Sequence, residues 1–263
     1  MSCRQNLHLV AESGDAKPVS TLPDRGGAVL PLDLIDIGFQ VGRDRLLSDV
    51  NISFQGELPT VILGPNGAGK TLLLKICHGL LKPSSGFVRW RDPLLAMQPD
   101  SQGMVFQKPV MLRRSVAENV RFALRMTGVT RSLHRERVAA ALDAAGLTAL
   151  ADRRATHLSG GEQQRLALAR CHAMHPRVLF LDEPTAHLDP AATRKIEEMI
   201  AVIRDSGTRI IMVTHDVSQA KRIAGHIVFM HRGTVLESTP SRSFFQQPAT
   251  PEAAAYLAGE LLW

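Results

Sequence analysis

Apolar and polar positions alternate along "LDLIDIGFQV" and again along "LLSDVNISF", and this period of two predicts a pair of antiparallel strands. The unbroken apolar run "TVILG" that follows predicts a strand buried on both faces. "TLLLKICHGLL" at 71–81 reads as a helix, stopped by the turn-forming "KPSSG" at 82–86. A helical stretch is expected from about 115 to 150, with "RERVAAALDAAGL" its clearest amphipathic piece and Gly146 closing it. Strand-like runs return at 177–182 and 209–213, followed by the helical patterns "AATRKIEEMIAVIRD" and "VSQAKRIAG". Strands alternating with helices imply an α/β fold around a mostly parallel sheet covered on both faces, interrupted by one helical insertion. Residues 1–30 carry no helical or strand period and read as a flexible leader, so the folded unit is expected over 31–263. In the tail, Phe244, Phe245 and Tyr256 are expected to pack a closing amphipathic helix onto the core.

Composition narrows this picture. The chain has 263 residues, 44% of them hydrophobic, enough for a sizeable core. Its longest apolar runs fall far short of the ~20 residues a bilayer-spanning helix needs, so the chain is expected not to cross a membrane by itself. The N-terminus lacks a secretory pattern, and Cys3, Cys77 and Cys171 are odd in number and far apart. Both features point to a reducing, cytosolic location. The net charge of +6 is concentrated: residues 113–154 hold nine Arg and four acidic residues, 9 − 4 = +5. Such a segment suits a solvated helical face or a surface near anionic lipid headgroups. A nucleic-acid surface fits less well, because only 5% of residues are aromatic and no stacking pattern is present.

Two glycine-rich loops carry the candidate chemistry. The first, "GPNGAGKT", follows a strand and opens a helix, and Gly64, Gly69, Lys70 and Thr71 satisfy G-x-x-x-x-G-K-[ST]. Glycines let consecutive backbone N–H groups face phosphate oxygens, and the helix N-terminus adds partial positive charge. The nucleotide-binding stretch is taken as Gly64, Pro65, Asn66, Gly67, Ala68, Gly69, Lys70, Thr71 and Leu72. Lys70 is expected to bridge the β- and γ-phosphates and the Thr71 hydroxyl to ligate Mg²⁺. "VLFLDE" at 178–183 ends a buried strand in two carboxylates. Asp182 suits the Mg²⁺ shell, and Glu183, one residue on, suits a general base for the attacking water. The second loop, "LSGGEQQR" at 158–165, has no lysine. Ser159 and the N–H groups of Gly160 and Gly161, at the start of a helix, form an anion site that needs an incoming phosphate.

Together "GPNGAGKT", "LSGGEQ" and "VLFLDE" resemble the nucleotide-binding subunit of ATP-binding-cassette transporters over roughly residues 32–238. The resemblance implies a P-loop NTPase, RecA-like core with an N-terminal antiparallel β subdomain and a helical subdomain at about 108–165. It implies that Ser159, Gly160 and Gly161 contact the γ-phosphate of ATP held by another subunit's first loop, so that two chains pair head to tail and close on ATP. By the same resemblance, Gln107 in "VFQKP" senses Mg²⁺ and the γ-phosphate and borders the groove for a membrane subunit. Asp189 in "AHLDP" communicates across the dimer, and His215 in "IMVTHD" holds the γ-phosphate and positions water. ATP and Mg²⁺ are the implied cofactors. The implied partners are a second cassette, in the first instance another copy of this chain, integral permease subunits and indirectly an extracytoplasmic solute-binding protein, with the chain peripheral on the cytoplasmic face of the inner membrane.

Two positions depart from that pattern. The aromatic that usually stacks on adenine is replaced by Val41, with Phe39 two residues earlier expected to face the other way, and His187 stands where a small residue is common. "HGLLKPSSGFVRW", "FQKPVMLRRSV" and "TPEAAAYLAGELLW" are most similar to tungstate-type oxyanion importers, a subfamily that also tends to lack the adenine aromatic. Phosphate or another small solute stays open as cargo, as does a non-transport cassette ATPase acting on DNA or ribosomes.

Overall fold

The structure, a computed structural model, describes residues 29–260. The leader expected over 1–30 therefore lies almost wholly outside the described residues. Strand β1 (Leu32–Val41) pairs antiparallel with β2 (Asp44–Phe54) and, on its other edge, with β4 (Ser85–Trp90), giving a small three-stranded sheet. The larger sheet runs β5 (Gln102–Val105), β6 (Val178–Asp182), β7 (Arg209–Thr214), β3 (Thr60–Leu63), β8 (His226–His231) and β9 (Thr234–Pro240). All its neighbours are parallel except β9, which returns antiparallel to β8.

Burial follows directly from the apolar runs. Alternate residues of β3, β6, β7 and β8 feed two separate cores, one on each face of the sheet: Val61, Leu63, Leu179, Leu181, Met212 and Phe229 on one face, Ile62, Phe180, Ile211, Val213, Val228 and Met230 on the other. A strand buried on both faces has no polar side to alternate with, hence the continuous runs. The second core also takes in the small sheet and helix α1 (Lys70–His78). After the short α2 (Pro93–Ala96), the first core takes in α3 (Val116–Met126), α4 (His134–Ala144), α5 (Gly160–Met174) and α6 (Pro190–Asp205). The short α7 (Val217–Ile223) packs against β3 and β7, and α8 (Ser241–Gln246) and α9 (Pro251–Ala258) close the chain on the same core.

Several expectations need adjustment. The helix expected over 71–81 stops at His78, where Gly79 takes φ 84° and caps it. The stretch 115–150 is two helices, separated by Gly128 at φ 73° and a 3₁₀ turn at 131–133. The turn expected at 82–86 runs directly into β4, whose exposed edge position leaves no apolar alternation to read. Phe39 and Val41, two apart, would share a face in a regular strand, so alternation does not separate them. What separates them is a register shift after Phe39: Phe39 packs against the core beneath the small sheet, whereas Val41 is 58% exposed at the hairpin tip.

Candidate functional site

The first loop lies past the C-terminal end of β3, the central strand between β7 and β8, where open α/β sheets bind ligands. Gly64 is required there: it takes φ 153°, and a Cβ would stand 2.1 Å from the Met230 carbonyl oxygen. Gly69 caps α1 at φ 92°, opposite the Leu47 side chain. Lys70 folds back beneath the loop, its Nζ donating to the carbonyls of Gly64 and Pro65 at 2.8 Å each. Burial, partly offset by the Glu183 and Asp182 carboxylates, holds its ammonium below the usual lysine range.

Thr71 follows, and its hydroxyl donates to Asp182 Oδ1 at 2.7 Å across 111 residues of sequence. Asp182 ends the fully buried β6, and burial pushes its carboxyl above the ordinary aspartate range, against the opposing pull of the Thr71 hydroxyl. These two hard oxygens lie side by side, the donor type that Mg²⁺ prefers. Among the described residues no group of three or more His, Cys, Asp or Glu gathers into a metal site. The Thr71 hydroxyl and the Asp182 carboxylate fit Mg²⁺, which takes one or two protein oxygens when phosphates supply the rest.

Glu183 turns off the strand in the left-handed region, φ 45°, its N–H held by the Val213 carbonyl at 3.0 Å. That turn aims its carboxylate at two of the expected residues. His215 Nδ1 lies 3.1 Å from Oε1, and Gln107 Nε2 donates to Oε2 at 3.4 Å. A cleft of about 530 Å³ is lined by residues 66–72 of the first loop, Gln107, Glu183, His187 and His215. Neither Phe39 nor Val41 lines it.

Ser159, Gly160 and Gly161 do not join that cleft. They line a second one of about 450 Å³ with Asp189 and Lys195, and His187 stands in the wall common to both. Ser159 caps α5 and exchanges hydrogen bonds with Glu162, whose side chain accepts from its N–H at 2.8 Å and its hydroxyl at 2.9 Å. The backbone bond from Ser159 holds the Glu162 carboxyl below the usual range. Asp189 caps α6, accepting from the Ala192 N–H at 2.8 Å.

Two residues went unassigned at the level of sequence. Glu162 was readable, since S-x-x-E is a capping-box pattern. Tyr256 reads as core packing in the sequence, yet its one hydroxyl proton is shared between two carbonyls, His215 at 2.8 Å and, more weakly, Gly64 at 3.3 Å. No local pattern marks such a contact, which spans 192 residues.

Residues 47–186 match the family described as ABC transporter. The chain is 36% identical over 262 residues to the phosphate import ATP-binding protein PstB 2 of Natronomonas pharaonis, covering 92% of this chain and 90% of that protein. It is 38% identical over 198 residues to the tungstate uptake system ATP-binding protein TupC of Peptoclostridium acidaminophilum, covering 75% and 92%. Among solved structures, cbiO1 of Clostridium perfringens, described as part of the ABC transporter complex cbiONQ, superposes with a TM-score of 0.74 at 30% identity over 83% of this chain and 92% of that one. An ATP-binding cassette solved as a dimer in a post-hydrolysis state with ADP and Pi gives 0.70 at 28% identity, covering 80% and 99%.

Proposed function

The chain belongs to the ABC transporter family and is an ATP hydrolase of the transport-coupled kind, and on that premise we propose that it powers a membrane importer for a tetrahedral oxyanion, tungstate in the first instance. The observation that carries the hydrolytic reading is the Glu183 carboxylate, held on one oxygen by His215 and on the other by Gln107 beside the Lys70 loop. Lys70 and the N–H groups of residues 66–71 neutralise the phosphates. Glu183 accepts the proton of the attacking water, and His215 orients that carboxylate and meets the γ-phosphate. Thr71 and Asp182, with Gln107, would hold Mg²⁺, which supplies charge neutralisation at the phosphate oxygens.

Ser159, Gly160 and Gly161 serve the nucleotide of a second copy. Their cleft is separate from the Lys70 cleft, and a relative of known structure is a dimer with ADP and Pi. Each ATP thus lies between the first loop of one chain and the Ser159 loop of the other, with Asp189 beside that boundary. Closure needs the γ-phosphate, and its cleavage releases the pair. Similarity to ATP-binding proteins of import systems supports a peripheral place against permease subunits at the cytoplasmic face.

Similarity to the tungstate uptake protein supports the cargo assignment, while the longer coverage by the phosphate import protein favours phosphate as a second reading. Both cargoes are tetrahedral oxyanions. The test compares cells whose only copy is the wild-type chain or Glu183→Gln, at low external oxyanion. Intracellular tungsten and molybdenum are read by elemental mass spectrometry, and phosphate by labelled uptake. Selective loss of tungsten is expected. Selective loss of phosphate uptake would transfer the cargo to phosphate, and no loss of any of the three would refute oxyanion import.

A further inference from the structure

The β3–β7 ladder ends at the pair Leu63 and Thr214. Gly64 and His215 are therefore the first residues beyond sheet pairing, and no strand hydrogen bond fixes one against the other. They begin the phosphate loop and the loop that carries the imidazole facing Glu183. The structure fills the gap from the far end of the chain: the Tyr256 hydroxyl reaches the carbonyls of both, at 2.8 Å from His215 and 3.3 Å from Gly64. We propose that Tyr256 is a positioning residue for hydrolysis, its hydroxyl tying the loop of His215 to the phosphate loop so that helix α9 sets their separation.

Three further observations support this role. The helix is seated for accuracy: Glu237 on β9, 7% exposed, accepts from both the N–H and the hydroxyl of Thr250 at 2.7 Å, and Thr250 caps α9 through the Ala253 N–H. The ring is held independently of its hydroxyl, tilted against Phe229 at 5.4 Å, and Phe229 is in turn tilted against Phe244 at 5.7 Å. The Gly64 carbonyl that receives the hydroxyl also receives the Lys70 ammonium at 2.8 Å. One connected path therefore runs from Lys70 through Gly64, Tyr256 and the His215 backbone to the His215 imidazole and Glu183. Burial, together with the negative charges of Asp216 and Glu183, pushes the phenol up to about 12, so it stays a donor throughout the working pH range.

The inference rests on the reading that His215 acts in hydrolysis, and a double-mutant cycle separates the two. Single-turnover hydrolysis is measured as a function of ATP concentration for the full-length wild-type chain, Tyr256→Phe, His215→Ala and the double variant. Phenylalanine keeps the ring packing and removes only the hydroxyl. Tyr256→Phe is expected to lower the maximal rate about 3- to 10-fold, the worth of one positioning hydrogen bond. Half-saturating ATP should stay within about twofold, and the urea midpoint should hold. On the His215→Ala background the same substitution should cause no further loss, because the hydroxyl acts through that residue. A wild-type maximal rate for Tyr256→Phe, or an equal fold loss in both backgrounds, would overturn the positioning role while leaving the hydrolytic reading intact. A wild-type rate for His215→Ala would overturn both.

Discussion

Gly160 is a glycine for which the folded chain supplies no reason. It opens α5 behind the Ser159 cap, its φ is not in the left-handed region, and a Cβ built on it meets nothing within 4 Å. Replacing a glycine by alanine at an unstrained position removes freedom from the unfolded chain and stabilises by roughly 0.4–1 kcal/mol. For a chain of this size that is a rise of about 1–4 °C in the thermal midpoint. The composite site demands the opposite functional outcome. In the proposed composite site a methyl group at Gly160 would stand where the partner's phosphate approaches backbone N–H groups, and losing one hydrogen bond to a charged group costs about 1.5–3 kcal/mol. ATP-driven pairing of Gly160→Ala should therefore need roughly 10- to 150-fold more ATP than its parent, both in the non-hydrolysing Glu183→Gln background. Calorimetry reads the first effect, and light scattering during an ATP titration reads the second. A lowered thermal midpoint would show that the fold itself needs the glycine, and an unchanged ATP midpoint for pairing would show that nothing approaches it. Either result refutes the reasoning. Gly161 is a poorer probe, because its Cβ would lie 3.2 Å from that of Ala192 and mix packing with function.

Gly64→Ala should behave differently: its Cβ clashes with the Met230 carbonyl of a paired strand, so a loss of about 2–5 kcal/mol in urea unfolding is expected, and a loss below about 1 kcal/mol would contradict the geometry. Asp182→Asn should abolish Mg²⁺-dependent hydrolysis yet stabilise the unliganded chain at pH 7.5. Burial raises the folded-state pKa of Asp182 above its unfolded value of 3.8, so the folded state binds the extra proton between those two values. The wild-type chain then gains stability as pH falls through the raised value, and the advantage of asparagine should shrink over the same window. Denaturation midpoints at pH 7.5 and close to the unfolded value of 3.8 check the sign, and a less stable asparagine variant at pH 7.5 would reverse it.

The loop at 64–71 is legible in the sequence because its features are local. Eight consecutive residues carry the backbone turn, the lysine and the hydroxyl, and the strand and helix around them have strong apolar signals. Asp182 and Glu183 were legible because β6 is buried on both faces and ends abruptly in charge. The left-handed turn at Glu183, which aims it at His215 and Gln107, has no sequence signature. Edge strand β4 escapes sequence reading because its exposed positions carry no alternation, and Phe39 and Val41 do face different surroundings as expected, but through a register shift that alternation does not reveal. Tyr256 lay beyond reach for another reason: an aromatic residue in an apolar tail reads as packing, and only the folded chain shows where its one polar atom points. His187 occupies the wall between the two clefts, a position visible only once both loops are assembled.

The central claim is that Ser159 completes the partner's nucleotide site, and particle mass tests it most directly. In saturating ATP and Mg²⁺, Glu183→Gln should scatter as twice the 28.7 kDa chain, and Glu183→Gln combined with Ser159→Arg as a single chain. A Glu183→Gln chain that stays at 28.7 kDa, or a double variant that pairs equally well, would contradict the shared site.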